Sequence, residues 1–247
     1  MTAQRLVANS KTRKTIFVLL RTIMLELRRA ESHGQEINDE MVQKTKPRRG
    51  RPRAYDREMA LTRAMDKFWE TGYAATSLDD LSSAMSMNRP SIYAAFGDKE
   101  ALYRQALDHY RASSRAAMGE ALSETRTLSD ALQDFYERAI EVYLSGETSA
   151  RGCFMIGTAL TEAVANRQLR DKLAESVQGL ERVLTARIGL GQQRGEVRAD
   201  ANPAELAQVA SAMLYLLAIQ ARSGATRKSL KATMKAALNT ICTPTSM

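Results

Sequence analysis

The fold is decided by residues 76–102, which read TSLDDLSSAMSMNRPSIYAAFGDKEAL. Thr76 and Ser77 can cap a short helix, because their hydroxyls accept hydrogen bonds from backbone N–H groups of the first turn. Asn88 can cap a second helix in the same way, and Pro90 then lies in its first turn, where a missing N–H costs nothing. The spacing therefore predicts two short helices separated by a tight break.

The residues around these two helices agree with this interpretation. Asp79 and Asp80 fall in the first turn of the earlier helix, where the helix dipole favours acidic side chains. Gly97 can end the later helix, and Asp98 can cap another one after it. Upstream, a helix that ends at Gly72 is predicted by an apolar face with i, i+3, i+4, i+7 spacing. That face consists of Leu61, Ala64, Met65 and Phe68. Together these elements predict a three-helix helix-turn-helix unit.

The third helix of such a unit enters the major groove of DNA, where the base edges carry a unique code. Arg89 is its one side chain that can read guanine with two hydrogen bonds, and we expect exposed small residues at 91, 94 and 95 to allow close approach. Phosphates can bind at the start of the second helix and at Tyr93 and Lys99. The alternatives are a core role for Tyr93 and a surface ion pair for Lys99. The predicted DNA-binding residues here are Thr76, Ser77, Asn88, Arg89, Ser91, Tyr93, Ala94 and Lys99.

The net charge of +8 on this 247-residue chain lies entirely near its N-terminus. Residues 1–53 hold 13 basic and 5 acidic side chains, and the rest of the chain is neutral. Residues 44–53, KTKPRRGRPR, predict a flexible arm that contacts the minor groove or phosphates. Its candidate residues are Arg48, Arg49, Arg51 and Arg53, and the alternative is a solvated tail. Translation from Met41, which would leave out residues 1–40, is a further hypothesis.

The sequence offers no enzyme or metal motif. It has no Walker A motif, no G-x-S-x-G elbow and no HExxH, and its two cysteines, Cys153 and Cys242, are far apart. We predict a protein that is not an enzyme, with no catalytic residues, no cofactor and no metal. The cysteine usage fits a reducing cytoplasm, where DNA binding would associate the protein with the nucleoid. No membrane is expected, because no apolar run approaches about 20 residues; a tether through residues 16–27 is the alternative.

The rest of the chain has the pattern of longer helices and no persistent strand pattern. Apolar helical patterns occur at 128–142, 154–165, 169–188, 203–221 and 227–241. The pattern at 203–221 is apolar almost all round, so a monomer could hardly cover it. Its small residues, which would let helices pack closely, are Ala207, Ala210, Ser211 and Ala218. We therefore predict an all-α homodimer that pairs through the helices near 203–221 and 227–241.

Residues 55–103 resemble the signature of the TetR family of transcriptional regulators. The shared features are Gly72-Tyr73, Thr76-Ser77, Tyr93 and the run from Phe96 to Leu102, and Ser86 stands where the family commonly has glycine. The segments GRPR (50–53) and RGCFM (151–155) are similar to the arm and to the start of a middle helix in that family. The resemblance implies a basic extension and arm at 1–53, a helix-turn-helix DNA-binding domain at 54–103 and a larger helical effector-binding and dimerisation domain at 104–247.

The resemblance also implies a repressor that a small-molecule effector releases from a palindromic operator. In the dimer of that family, the last two helices pair into a four-helix bundle. Candidate effector-binding residues are Phe135, Tyr136, Tyr143, Met155, Thr158, Glu162, Met213 and Tyr215, although the same pattern is typical of plain core. Two alternatives remain open: a C-terminal domain that binds a protein partner and no small molecule, and a helical enzyme or ligand-storage protein with a relic DNA module. Cys153 is interpreted as a buried apolar residue in preference to a sensor.

Overall fold

Nine helices and one π-helical turn make up the ordered elements of residues 56–146 and 149–242, which are the residues that the computed structural model describes. The helices are α1 Arg57–Thr71, α2 Leu78–Met85, α3 Arg89–Phe96, α4 Lys99–Ala121, α5 Leu128–Tyr143, α6 Leu160–Glu162, α7 Arg167–Gln193, α8 Pro203–Arg222 and α9 Arg227–Ile241. The π turn, Met155–Ala159, directly precedes α6. These ranges contain no strand, and the all-α prediction is confirmed.

The N-terminal extension and the basic arm lie outside the described residues. The predicted DNA contacts of the arm that fall there are Arg48, Arg49, Arg51 and Arg53.

The helix ends follow local rules that the sequence already carries. The side chains of Ser77, Asn88 and Asp98 accept hydrogen bonds from backbone N–H groups in the first turns of α2, α3 and α4. Gly72 and Gly97 end α1 and α3 with φ angles of 82° and 84°. At Gly97 a side chain would also crowd α4, since an added Cβ would lie 3.1 Å from the Cβ of Ala101. The predicted ends of the three short helices are therefore found in the structure.

The first core, here called the N-terminal core, packs α1, α2 and α3 against the start of α4. Phe68, Leu81, Ile92 and Phe96 are almost fully buried in it. The core continues past the short helices to Phe154 and to other buried residues of the C-terminal part, namely Ala159 and Leu169. The boundary predicted between 103 and 104 falls inside α4, where residues on both sides of it share this core.

The second core, here called the C-terminal core, lies among α5, α7, α8 and α9. It contains Leu132, Ile140, Leu184, Leu217 and Leu230, each with no exposed surface. By length and composition alone, α8 is apolar enough to cross a membrane. Seven of its residues are nevertheless buried against the surrounding helices, while Val209, Leu216 and Ile219 are exposed.

Candidate nucleic-acid interface

The break between α2 and α3 is a tight turn at Ser86, whose backbone adopts the left-handed conformation with φ 55° and ψ 41°. Ser82 fixes the far side of the turn, because its hydroxyl donates to the carbonyl of Met87 and its carbonyl accepts from the Met87 N–H at 3.1 Å. The Met87 side chain is buried, so α3 is held to α2 by both backbone and side chain. Serine at position 86 thus adopts the conformation for which glycine is better suited.

Helix α3 has one buried face and one exposed face. Ile92 and Phe96 anchor it in the N-terminal core, while Arg89, Tyr93 and Ala94 are exposed, together with the capping residue Asn88. Ser91 is half-buried and its N–H donates to the side chain of Asn88 at 2.9 Å. The expectation that Ala95 is exposed is corrected, because it packs against the N-terminal core beside Phe96. The predicted reading positions thus share one surface, with Ala95 at its edge.

The side chain of Arg89 is paired with Asp79 across the turn. Its Nε donates to Oδ1 of Asp79 at 2.9 Å, and its Nη2 donates to Oδ2 at 2.5 Å. Both side chains are exposed, by 53% for Arg89 and 73% for Asp79. This hydrogen-bonded pair raises the pKa of the Arg89 guanidinium, so the side chain carries its full positive charge. The sequence placed Asp79 only as a favourable acid at a helix start and gave no sign of this pairing.

Thr76 does not occupy the position predicted for it. Its side chain is only 1% exposed, and its hydroxyl donates to the Gly72 carbonyl and lies 2.6 Å from the hydroxyl oxygen of Thr71. Because the hydroxyl is used inside the protein, it does not face a phosphate. The residue that caps α2 is Ser77, whose hydroxyl accepts from the N–H of Asp80 at 3.1 Å.

Ser77 and Asp80 form a reciprocal capping box at the start of α2. The carboxylate of Asp80 accepts hydrogen bonds from the Ser77 N–H at 2.9 Å and from the Ser77 hydroxyl at 2.6 Å. These bonds hold the pKa of the Asp80 carboxyl below its ordinary value. Ser77 is exposed. Of the two residues predicted to hold a phosphate at this helix start, Ser77 is the exposed one, and in this structure its N–H and its hydroxyl both donate to Asp80.

Lys99 lies at the start of α4, next to the segment that joins α1 and α2. Its ammonium sits 4.5 Å from the ring centroid of Tyr73 and 3.5 Å from the carbonyl oxygen of Ala74. The aromatic ring attracts the cation and holds it near the surface of the helix-turn-helix unit. Lys99 is half-buried, so part of the side chain remains open to an anion.

The residues predicted to bind an effector do not come together around one cavity. Phe135, Tyr136 and Tyr143 are buried in the C-terminal core, with Met213 and Tyr215 partly buried against it. The remaining three, Met155, Thr158 and Glu162, lie in the π turn and α6, on the side of the N-terminal core. The separation has a physical cause, since the rings of Phe135, Tyr136 and Tyr143 fill the space between helices.

Two of the predicted residues, Tyr136 and Thr158, form hydrogen bonds inside the protein. Tyr136 donates its hydroxyl to the Ala210 carbonyl at 2.9 Å. Tyr103 and Thr158 share a hydrogen bond of 2.8 Å, and burial raises the pKa of the Tyr103 phenol to about 12. These groups act as core rather than as the wall of an open pocket.

Two clefts are instead lined by other side chains. One, of about 560 Å³, runs along α7 and α8 and is lined by Gln178, Glu181, Arg182, Thr185, Ala186, Ala204 and Gln208. The other, of about 290 Å³, lies between the π turn and the end of α8, where it is lined by Cys153, Ile156, Gly157, Ala218, Ile219, Arg222 and Ser223. Burial raises the pKa of the Cys153 thiol, whose sulfur lies 3.5 Å from the Tyr110 hydroxyl.

The second cleft is physically linked to α1 through Arg151, a connection that the sequence analysis missed. The Arg151 guanidinium donates to Asp66 at 2.5 Å and lies over the ring of Trp69, 5.3 Å from its centroid. The Arg151 carbonyl accepts from the Trp69 indole at 3.2 Å and from Arg222, which lines the cleft, at 2.9 Å. One residue thus contacts both the DNA-binding unit and the wall of a cleft in the C-terminal part.

Two protein-family models match this chain, and they cover different parts of it. Residues 60–106 match the model of bacterial regulatory proteins of the tetR family, and residues 129–237 match that of the tetracyclin repressor-like C-terminal domain. The first match covers the helix-turn-helix unit and the start of α4, and the second covers the helices of the C-terminal core.

Individual relatives cover most of the chain. The HTH-type transcriptional repressor ComR of Escherichia coli (strain K12) is 35% identical over 191 residues, which are 76% of this chain and 90% of ComR. A cysteine mutant of the TetR family regulator CifR, solved in complex with 26-bp double-strand operator DNA, is 34% identical with a TM-score of 0.65, covering 76% of this chain and 98% of that one. A regulator from Chloroflexus aurantiacus J-10-FL shares the fold at 23% identity and a TM-score of 0.66, covering 75% and 93% of the two chains.

Proposed function

This chain belongs to the tetR family of bacterial regulatory proteins, and we propose that it acts as a homodimer on a palindromic operator. It is a DNA-binding transcriptional repressor and not an enzyme. As in other regulators of this family, its place of action is the bacterial cytoplasm, and we propose that DNA binding associates it with the nucleoid.

The reading of DNA rests on one observation: Arg89 is the single basic residue on the exposed face of α3. A guanidinium can donate two hydrogen bonds to O6 and N7 of guanine in the major groove. Beside it, Ser91 and Ala94 are small enough to let the helix approach base edges, and Asn88 caps the helix start. We assign base reading to this surface, with Arg89 as its main contributor.

Phosphate contacts are assigned to Ser77, Tyr93 and Lys99, and to the arginines of the arm. The unit from 54 to 103 has five basic and eight acidic side chains, so its own charge repels DNA. Affinity must therefore come from the +8 of residues 1–53, from the helix N-termini and from the use of two copies at once. Thr76 is removed from the proposed contacts because its hydroxyl is buried.

The proposed dimer surface is the exposed face of α8. Val209, Leu216 and Ile219 are 44%, 40% and 53% exposed, and with Ala212 they form an apolar line at spacings of three and four residues, here called the α8 stripe. A second copy would cover this line and the adjacent face of α9, as expected for an isologous interface. The small residues expected to support dimer packing have another role, because Ala207, Ala210, Ser211 and Ala218 are buried within the chain itself.

We further propose that a small molecule enters the cleft between the π turn and α8. Of the predicted effector residues, Tyr143 and Tyr215 lie near Cys153, and Met155 is two residues away from it along the chain. An occupant that moved Arg222 would act on Arg151 and so on α1. The dense packing of the other predicted effector residues supports the second candidate function, in which the C-terminal part binds a protein partner.

The function is tested first on the DNA just upstream of the coding region of the protein. We expect a mobility shift that survives excess random DNA, weakens steeply with salt and has the stoichiometry of a dimer. Weak binding that is equal on all DNA, there and on duplexes selected from a random library, would contradict specific operator recognition. With a specific probe in hand, compounds that release it identify the effector, whereas release only by cell protein fractions would favour the second candidate.

A further inference from the structure

The pair between Arg89 and Asp79 joins two well-fixed helix starts. Asp79 is the second residue of α2, whose first turn is held by the capping box of Ser77 and Asp80. Arg89 is the first residue of α3, whose start is held by Asn88. Because the turn at Ser86 fixes α2 to α3, the backbone positions of Asp79 and Arg89 do not depend on the pairing of their side chains. The carboxylate therefore sets where the guanidinium lies.

The pairing with Asp79 determines which N–H groups of Arg89 remain free to bind DNA. A guanidinium carries five N–H groups in one plane, one on Nε and two on each Nη. Asp79 accepts from Nε and Nη2, which form one side of the plane. Both N–H groups of Nη1 and the second N–H of Nη2 remain, and one N–H of Nη1 together with that of Nη2 forms the fork at the end of the side chain. The fork has the spacing that O6 and N7 of guanine accept.

We propose that Asp79 is a specificity-determining residue, which holds Arg89 so that the free fork of its guanidinium points into the major groove. The inference rests on the proposed role of Arg89 in reading guanine. Asp79 touches no base in this arrangement and acts through Arg89 alone, so it is a positioning residue.

Through two physical effects, the pair between Asp79 and Arg89 would increase the preference for the operator over other DNA. An arginine that is already held loses less conformational freedom when it meets a base, so more of the contact energy appears as discrimination. A carboxylate on the same surface also repels phosphates and lowers binding to DNA of any sequence. Removal of Asp79 is therefore expected to change the two kinds of binding in opposite directions. An exposed ion pair of this kind contributes little to folding, so the Asp79 variants are expected to stay folded.

The test uses the full-length protein and a duplex that it selects from a randomised library. Competition measures the preference for that duplex over the same duplex with single guanines replaced by 7-deazaguanine, which lacks the N7 acceptor, and over random DNA. The variants are Asp79→Ala, Asp79→Asn, Arg89→Ala and the double variant Asp79→Ala/Arg89→Ala. The matched control is Glu70→Gln, which removes an exposed acid on α1 that pairs with Lys67 instead.

We expect Arg89→Ala and Asp79→Ala each to lower the guanine preference roughly tenfold, with little further loss in the double variant. Asp79→Ala should also bind random DNA a few-fold more tightly, and Glu70→Gln should keep the wild-type preference. Asp79→Asn, which keeps the shape of the side chain and one acceptor oxygen, guards against loss of folding and should fall between wild type and alanine.

Three results would overturn the inference, and they identify different failures. A preference unchanged in both Asp79 variants but lost in Arg89→Ala would leave the proposed reading intact and show that Asp79 only repels DNA. A preference that rises in Asp79→Ala would show that Asp79 competes with the operator for Arg89. A preference unchanged in Arg89→Ala would remove the assigned reading of guanine itself, and the positioning role with it.

Discussion

Helices α3 and α8 are both partly exposed, but the surfaces that they expose are opposite in kind. Helix α3 anchors itself with Ile92 and Phe96 and exposes Arg89, Tyr93 and Ala94. Helix α8 buries seven residues and still leaves the α8 stripe open to solvent. The first surface suits a charged partner whose edges carry hydrogen-bonding groups, and the second suits an apolar partner. The difference shows that the helix with more buried residues can be the one that still needs covering.

The largest effect is expected when charged residues are placed in the α8 stripe. In Leu216→Glu/Ile219→Glu we expect the dimer to dissociate, because burial of such side chains contributes about 1.5–3 kcal/mol each, and each occurs twice in an isologous interface. Sedimentation equilibrium measures the change, and operator binding should weaken with it. The control is Val142→Glu, which changes an exposed apolar residue on a different helix, α5. A double variant that stayed dimeric would place the interface elsewhere.

The N-terminal core can be tested through Phe154, an aromatic residue that the C-terminal part contributes to it. Phe154 has no exposed surface, and its ring centroid lies 5.4 Å from those of Trp69 and Tyr110. We expect Phe154→Ala to lower the free energy of unfolding by about 3–5 kcal/mol, as for other buried aromatic residues. Urea unfolding at one fixed protein concentration measures it. Val164→Ala, at a site that is 82% exposed, should change stability by less than about 0.5 kcal/mol. A small loss in Phe154→Ala would mean that the N-terminal core holds without it.

The cysteines report how tightly the C-terminal part is closed. Burial raises the pKa of the Cys242 thiol from 9.0 to about 11, with a smaller contribution from Glu196. In a Cys153→Ser variant at pH 8, we expect Cys242 to be alkylated roughly 100-fold more slowly than in the urea-unfolded chain, because the thiolate is the reactive form. The contribution of this thiol to stability is complete below pH 9.0 and is lost as the pH rises through about 11. Equal rates in folded and unfolded protein would contradict the burial.

The smallest effect is expected at the turn between α2 and α3. Ser86 has a positive φ, which an L-residue adopts at a cost and glycine adopts freely. We expect Ser86→Gly to raise the free energy of unfolding by about 0.5–1 kcal/mol, part of the gain being offset by loss of the contact from Arg63 to the Ser86 hydroxyl. Ser83→Gly, three residues earlier inside α2, should instead lower it by about 0.5 kcal/mol. Thermal unfolding of both variants gives the two signs, and equal signs would contradict the strain at Ser86.

The sequence predicted well those features that depend on neighbours along the chain. The ends of α1, α2 and α3 follow from caps and glycines within a few residues, and these predictions were confirmed. The burial of Thr76 was not predicted, because a hydroxyl that can cap a helix can equally bond back to the carbonyl of Gly72, and the choice depends on how α1 meets α2. The placement of the Thr76 side chain therefore does not support its predicted contact with DNA.

Features that depend on residues far apart in the chain were missed. Arg89 and Asp79 are ten residues apart across a turn, and their pairing requires the angle between two helices. The link from Arg151 to Asp66 spans 85 residues. Helical spacing also cannot tell an aromatic residue that fills a core from one that lines a cavity, and this explains why Phe135 and Tyr136 were taken as candidates for effector binding.

Gly97 has a consequence for how such a protein can change over generations. Its φ of 84° and the Cβ of Ala101, 3.1 Å from where a side chain would begin, leave room for glycine alone without rearrangement. The neighbouring exposed positions, Arg89 and Ala94, carry no such constraint. Random substitution can therefore alter the base sequence that α3 prefers, while the turn at Gly97 that ends the helix stays the same. New operators become reachable through single steps that leave the scaffold folded.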